Sequence, residues 1–344
     1  MELQKSEIIS EKDRKKDHID LAFKSSTHHS ERDTRFFYEP ALTTHPLPNH
    51  PLSSYFLGHQ FSYPIWVSSM TGGTGIAKNI NRNLARACKD FGLGMGLGSC
   101  RKLLSSNEFF DDFAVRSFIG DQPLYANLGI AQINELIQEK SVHRITELLD
   151  RLEADGLIVH INPVQEWMQP EGDPILNITP VDAIIELIEQ LNCKIIVKEV
   201  GQGMGPASMK ALMSLPIDAI EFGAFGGTNF ARLEAMREAN AGEIDPICYV
   251  GHTVSEMIGF IHDISKEEQL KCKEFIISGS IRDYLDGYYY NECLSHNSIY
   301  GQAAGFLKHA MGDYDTLAKH VESQVQGYAF AMRYLRVRPP STKA

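Results

Sequence analysis

A chain of 344 residues is long enough for one large domain or two ordinary ones, and 43% hydrophobic with 22% charged residues is an ordinary balance for a soluble globular protein. The net charge of -11 argues against a general nucleic-acid binder, which needs an extended basic face, and no apolar stretch approaches the roughly 20 residues of a membrane helix. The N-terminus is of mixed charge without an apolar signal core, and the six cysteines form no C-x-x-C pair or zinc spacing, so the expectation is a cytoplasmic protein with reduced thiols.

Residues 1–35 carry eight basic and eight acidic side chains and few large apolar ones, so this arm cannot bury much surface alone. Within it, Arg14-Lys15-Lys16-Asp17-His18 concentrates positive charge. On a short helix Arg14 and His18 share a face with Lys15 beside them, which suits a phosphate group; a solvated charge run is the plain alternative. Residues 40–64 contain five prolines and read as a lead-in rather than a domain linker. The expected organisation is therefore an arm and lead-in over 1–64, followed by one domain over 65–344.

From Ile65 onward, short apolar runs alternate with helical periods. Strands are predicted at Ile65 to Ser69, Gly92 to Gly96, Leu124 to Leu128, Gly156 to Asn162, Lys194 to Val200, Ala219 to Phe222, Phe275 to Ser278 and Ser298 to Tyr300. Helices are predicted over Ile76 to Asp90, Val181 to Leu191 and Thr253 to Ile264, with a final amphipathic segment from about Thr316 to Leu335. Eight strand-then-helix units predict an α/β fold, a (β/α)8 TIM barrel with an N-terminal arm and a C-terminal helix. The unusual residues gather where such a barrel builds its site, at the carboxyl ends of the strands.

The densest group is His160-Ile161-Asn162-Pro163-Val164-Gln165-Glu166. His160 and Asn162 would share one face of a strand that Pro163 stops, leaving Gln165 and Glu166 on a loop, with Glu166 the obvious hard-cation ligand. A satisfied polar strand end is the alternative. Gly279-Ser280 after strand 7 and Gly301-Gln302 after strand 8 occupy the usual phosphate corner of a barrel, though both could be turn glycines. Lys198 ends an apolar strand, an expensive place for a cation unless it is paired or faces a polar cavity; a flavin edge, a Schiff base and a plain salt bridge all fit. Gly201 to Pro206 lacks the third glycine of a dinucleotide fingerprint, and no serine-hydrolase, zincin or P-loop motif is present.

These motifs resemble those of the FMN-dependent type 2 isopentenyl-diphosphate isomerases across nearly the whole chain. The resemblance runs from Arg14-Lys15-Lys16-Asp17-His18-Ile19 through Ser69-Met70-Thr71-Gly72-Gly73, Gly98-Ser99-Cys100-Arg101, Ala126-Asn127-Leu128-Gly129 and the His160 motif. It continues in Val197-Lys198-Glu199-Val200-Gly201, Gly226-Gly227-Thr228 and Gln302 to Leu307. It implies redox-neutral isomerisation of isopentenyl diphosphate to dimethylallyl diphosphate on reduced FMN, with Mg2+ on the diphosphate and NADPH as reductant. Ser69, Met70, Thr71, Ser99, Asn127, Lys198 and Thr228 would hold the flavin and its ribityl chain, and Gly279, Ser280, Gln302 and Ala303 its phosphate. Arg14, Lys15, His18 and Arg101 would bind the substrate, joined by His160, Asn162 and Gln165 as the catalytic candidates, while Glu166 would hold the metal. The resemblance also implies a homotetramer or homo-octamer.

Four places depart from the family pattern. Cys100 stands where a glutamine is usual, Asn229-Phe230 replaces Ser-Trp, Ser280 replaces a second glycine, and Tyr288, Tyr289 and Tyr290 fill a helix expected to carry small alanines. The competing enzyme reading, an FMN barrel oxidising a 2-hydroxy acid, would want a histidine beside Arg282, and none is close in sequence. A flavin- or diphosphate-binding protein without turnover is the non-enzymatic alternative.

Overall fold

The structure, a computed structural model, describes residues 11–47, 51–173, 177–237, 245–267 and 269–338. Its centre is a closed barrel of eight parallel strands: β1 Ile65–Val67, β2 Gly94–Gly96, β3 Leu124–Gly129, β4 Gly156–Ile161, β5 Lys194–Glu199, β6 Ala219–Glu221, β7 Glu274–Ile277 and β8 Asn297–Gln302. β8 closes on β1 by pairing Tyr300 with Ile65 and Gln302 with Val67. The predicted TIM barrel is thus the fold, and all eight predicted strands form.

Their ends differ from expectation for local reasons. Gly92 takes a left-handed conformation that caps the helix Ala77–Phe91, so β2 begins two residues late. β8 runs on through Gly301 and Gln302, which end the strand rather than follow it. The helix Pro180–Gln190 starts one residue early because Thr179 accepts the Asp182 N–H and proline suits the first helical position.

The barrel strands are buried on both faces over most of their length. Outward residues such as Val67, Val159, Val197 and Ile277 pack under the helices in the main core. Inward residues Trp66, Tyr125, Ile158, Ile196, Ala219, Ile276 and Ile299 form a second cluster inside the barrel. Three residues of the lead-in, Phe56, Leu57 and Phe61, join that inner cluster. They belong to a hairpin of Ser54–Phe56 with His59–Phe61, whose turn residues Leu57 and Gly58 both have positive φ.

The hairpin plugs the amino end of the barrel. Leu57 N–H donates to Glu274 at 2.7 Å, Leu57 O accepts the Lys194 ammonium, and Asn297 Nδ2 donates to Tyr55 O at 3.0 Å. After the barrel, the helix Tyr314–Tyr334 leads to Leu335–Val337, which pairs antiparallel with Phe36–Tyr38. Among the described residues, no helix is long and apolar enough to cross a membrane.

Candidate active site

The carboxyl end of the same interior is built from other residue types. Period two along each strand carries the inward face from Trp66 to Ser68, from Tyr125 to Asn127, from Ile158 to His160, from Ile196 to Lys198 and from Ala219 to Glu221. A cavity of about 540 Å³ opens there between β1 and β5–β8. Of the predicted cofactor residues, Ser69, Lys198, Thr228, Gly279, Ser280, Gln302 and Ala303 line it. Met70, Thr71, Ser99 and Asn127 lie on the neighbouring strands or loops and are not among its lining residues.

Several polar atoms here are buried without a hydrogen-bond partner among the described residues: the hydroxyls of Ser68 and Ser69, Oε1 of Gln302 and both carboxylate oxygens of Glu221. Such groups are expensive to leave unmet, so the cavity is suited to a ligand rich in donors and acceptors. At one corner Gln302 Nε2 donates to Ile281 O at 3.2 Å and ties β8 to the turn Gly279-Ser280. A Cβ at Gly279 would lie 2.1 Å from Ala224 O, and one at Gly227 would lie 2.8 Å from Ser280 N, so bare backbone lines this corner. Ser280 itself has φ 57, a left-handed conformation that explains why glycine is usual there and that costs serine about 1–2 kcal/mol.

On the other side of the mouth, Asn127 Nδ2 donates to Leu97 O at 3.1 Å, which fixes its Oδ1 as the acceptor for His160 Nδ1 at 2.8 Å. Burial, reinforced by Lys198 at the paired position on β5, pushes the His160 pKa down to about 3. The imidazole is therefore neutral, protonated on Nδ1, with Nε2 left as an acceptor. The ring lies against bare backbone, since a Cβ at Gly129 would stand 2.9 Å from Nε2.

Pro163 does not release the chain into a loop as its strand-stopping role predicts. It opens the helix Pro163–Met168, taking the first helical position where no N–H is needed, so Gln165 and Glu166 lie on its first turn. Asn162 Nδ2 donates to Gln165 Oε1 at 3.1 Å and to Glu166 Oε1 at 2.7 Å, and Gln165 Nε2 reaches Glu234 at 3.3 Å. Glu166 Oε2 accepts from Gln169 Nε2 at 2.9 Å and from Asp173 N at 2.7 Å. Oε1, with one donor, keeps a lone pair for a cation. No cluster of three or more metal-ligating side chains occurs among the described residues.

The cations are more dispersed than expected. Arg101 pairs with Asp173 at 2.5 Å beside this network. Arg14, Lys15 and His18 share the exposed helix Glu11–Leu21 and do not line the cavity.

The residues that hold the loops in place were not singled out from sequence. Buried Asp112 accepts the N–H groups of Thr74 and Gly75, both at 3.0 Å, and Asn81 Nδ2 bridges Thr71 O and Asp112 O. Glu199 accepts the N–H groups of Gly201, Gln202 and Gly203 at 2.6, 2.6 and 2.9 Å. Burial outweighs these bonds and pushes its carboxyl up to about 7. Only the isolated acids within apolar or glycine-rich runs hinted at such roles. Arg282, the oxidoreductase candidate, is engaged with Asp286 at 3.0 Å, and no histidine lines the cavity.

No protein-family model matches the chain. Among solved structures it is similar to a mandelate oxidase mutant bearing an FMN adduct, at TM-score 0.54, 14% identity and 88% coverage of each chain. It is likewise similar to a flavocytochrome b2 mutant with sulfite bound, at TM-score 0.57 and 14% identity, covering 87% of this chain and 72% of that one. At these identities the likeness is one of fold. Sequence relatives are closer. The isopentenyl-diphosphate delta-isomerase of Rickettsia typhi is 34% identical over 294 residues, 83% of this chain and 82% of the relative. That of Rickettsia felis is 32% identical over 327 residues, 93% of this chain and 91% of the relative. At such identity over nearly the full length of both chains, the chain belongs to the isopentenyl-diphosphate delta-isomerase family.

Proposed function

We propose that the chain catalyses the redox-neutral isomerisation of isopentenyl diphosphate to dimethylallyl diphosphate as a type 2, FMN-dependent member of its family. The observation that carries this reading is the conjunction of that kinship with a barrel mouth whose buried polar atoms lack partners. The unmet hydroxyls of Ser68 and Ser69, Oε1 of Gln302 and the bare backbone around Gly279 suit a polar ring and a phosphate. Lys198 and Thr228 complete the ring side, while Ser280 and Ala303 complete the phosphate side. When bound and reduced, FMN supplies the acid–base group for placing a proton on C4 of the substrate and removing one from C2.

The remaining work falls to this chain's own side chains. Gln165 and Asn162 orient one another through their amides and present polar edges beside Glu166. His160, its Nδ1 held by Asn127, offers Nε2 as an acceptor toward the substrate, and Arg101 exchanges Asp173 for phosphate oxygens. Glu166 would hold Mg2+ through Oε1, and the metal would neutralise charge on the substrate diphosphate, in keeping with its preference for few carboxylates. Arg14, Lys15 and His18 close over the diphosphate and exclude water. NADPH serves as reductant, and the active form is a homotetramer or homo-octamer in the cytoplasm.

The deciding experiment is anaerobic turnover with isopentenyl diphosphate, FMN, Mg2+ and NADPH, following isomer and reductant together. Isomer formed in large excess over NADPH consumed is the expected result, abolished by chelating Mg2+. Reductant lost stoichiometrically without isomer would instead mean an oxidoreductase.

A further inference from the structure

Two buried charges of opposite sign stand side by side in the upper layer of the barrel. Lys198 on β5 and Glu221 on β6 occupy paired register positions, one layer above the inward pair Ile196 and Ala219. Both therefore point into the interior, and both line the cavity. Glu221 is 0% exposed, yet neither carboxylate oxygen has a hydrogen-bond partner among the described residues.

Its contrast is Glu199, 5% exposed and one position further along β5 than Lys198, whose carboxylate is held by three backbone N–H groups. Lys198 Nζ meanwhile donates to Glu199 O at 2.9 Å. An acid held at the cavity floor beside a lysine, without a hydrogen bond to the described residues, has only that lysine and the cavity to act on. In a low-dielectric interior a carboxylate there acts on the lysine beside it and on whatever ring lies over both.

We propose that Glu221 is a positioning residue that offsets the Lys198 charge, so that the pair rather than the lysine alone sets how strongly the cavity favours the reduced flavin. This rests on the reading that the cavity takes FMN. A cation at the ring's edge stabilises negative charge on the reduced form, and an adjacent carboxylate moderates that preference.

The test is the midpoint potential of flavin bound to the full-length protein, measured by spectroelectrochemistry beside FMN affinity. Glu221→Gln leaves Lys198 unopposed, and the equilibrium constant for two-electron reduction rises about tenfold, a shift of about 30 mV to more positive potential. In a Lys198→Met background the same substitution has a clearly smaller effect, because the two act together. If Glu221→Gln does not fold, Glu221→Asp retracts the carboxylate by one methylene and shifts the potential the same way by less.

A merely structural role would change FMN content or melting temperature and leave the potential where it was. An unchanged potential in these variants overturns the inference, as does an equal shift with and without Lys198. Failure of the wild-type protein to bind FMN would overturn the functional reading instead.

Discussion

Lys194 and Lys198 stand four residues apart on one face of one strand, and they meet opposite conditions. Lys194 is bonded to Leu57 O in the turn that plugs the barrel, and nearby Glu274 accepts from Leu57 N and Asn297 Nδ2, both at 2.7 Å. Lys198 and Glu221, at the other end of the interior, face a cavity in which Glu221 has no hydrogen-bond partner among the described residues. The same pair of residue types serves as a clamp where lysine and glutamate both have partners and as a receptive surface where, among the described residues, the glutamate has none. Barrels divide stability and chemistry between their two ends in this way.

Substitution at the plug should separate the two ends most clearly. Phe56→Ala or Phe61→Ala, each removing a fully buried ring from the inner cluster, is expected to cost 3–5 kcal/mol in urea unfolding, about the usual range for such a truncation. Ser69→Ala should leave stability equal or higher, since it removes a buried hydroxyl that has no partner among the described residues, while weakening FMN binding in a titration. Comparable stability losses at both ends would break the comparison.

The extent to which this division was legible in the sequence follows from local chemistry. The barrel strands announced themselves because runs such as Ile195-Ile196-Val197 are apolar on both faces and are bounded by polar or glycine turns. The hairpin was hidden because its turn places Leu57 at φ 52, where asparagine, aspartate or glycine would be the readable signal. Burial and two tertiary bonds outweigh that strain, and neither is visible locally. The helix after Asn162 was missed because a proline can equally stop a strand or start a helix. Glu221 gave no motif at all, since its significance comes from the neighbouring strand, 23 positions earlier in the chain.

A smaller effect should appear in the pH dependence of stability, through two desolvated groups that titrate in opposition. Native His160 is neutral down to about 3 against an ordinary 6.5, so the unfolded chain holds the extra proton and stability from this group falls as pH drops below about 6.5. Native Glu199 holds a proton up to about 7 against an ordinary 4.5, so stability from it rises as pH drops through that window. Between 4.5 and 6.5 the two slopes oppose one another. Glu199→Gln should expose the His160 slope, making stability climb with pH by about 1.4 kcal/mol per unit relative to wild type in that window. Parallel wild-type and variant curves from denaturant melts would refute the opposition.

The smallest change is expected at Ser280. Ser280→Gly should relieve the left-handed strain and stabilise the protein by about 1 kcal/mol, read from thermal unfolding without cofactor. If FMN affinity falls at the same time, the serine hydroxyl is a phosphate donor as well as a strained turn residue. A loss of stability would show that the hydroxyl, not the backbone, governs this corner.

The hairpin wedged into the amino end makes the barrel a vessel with one opening. Any solute reaching the level of Lys198 and Glu221 enters and leaves through the same mouth, so the molecule seated deepest arrives first and departs last. Binding order is then a property of the stopper as much as of the site, and loosening Phe56 or Phe61 would alter the sequence of events at residues it never touches.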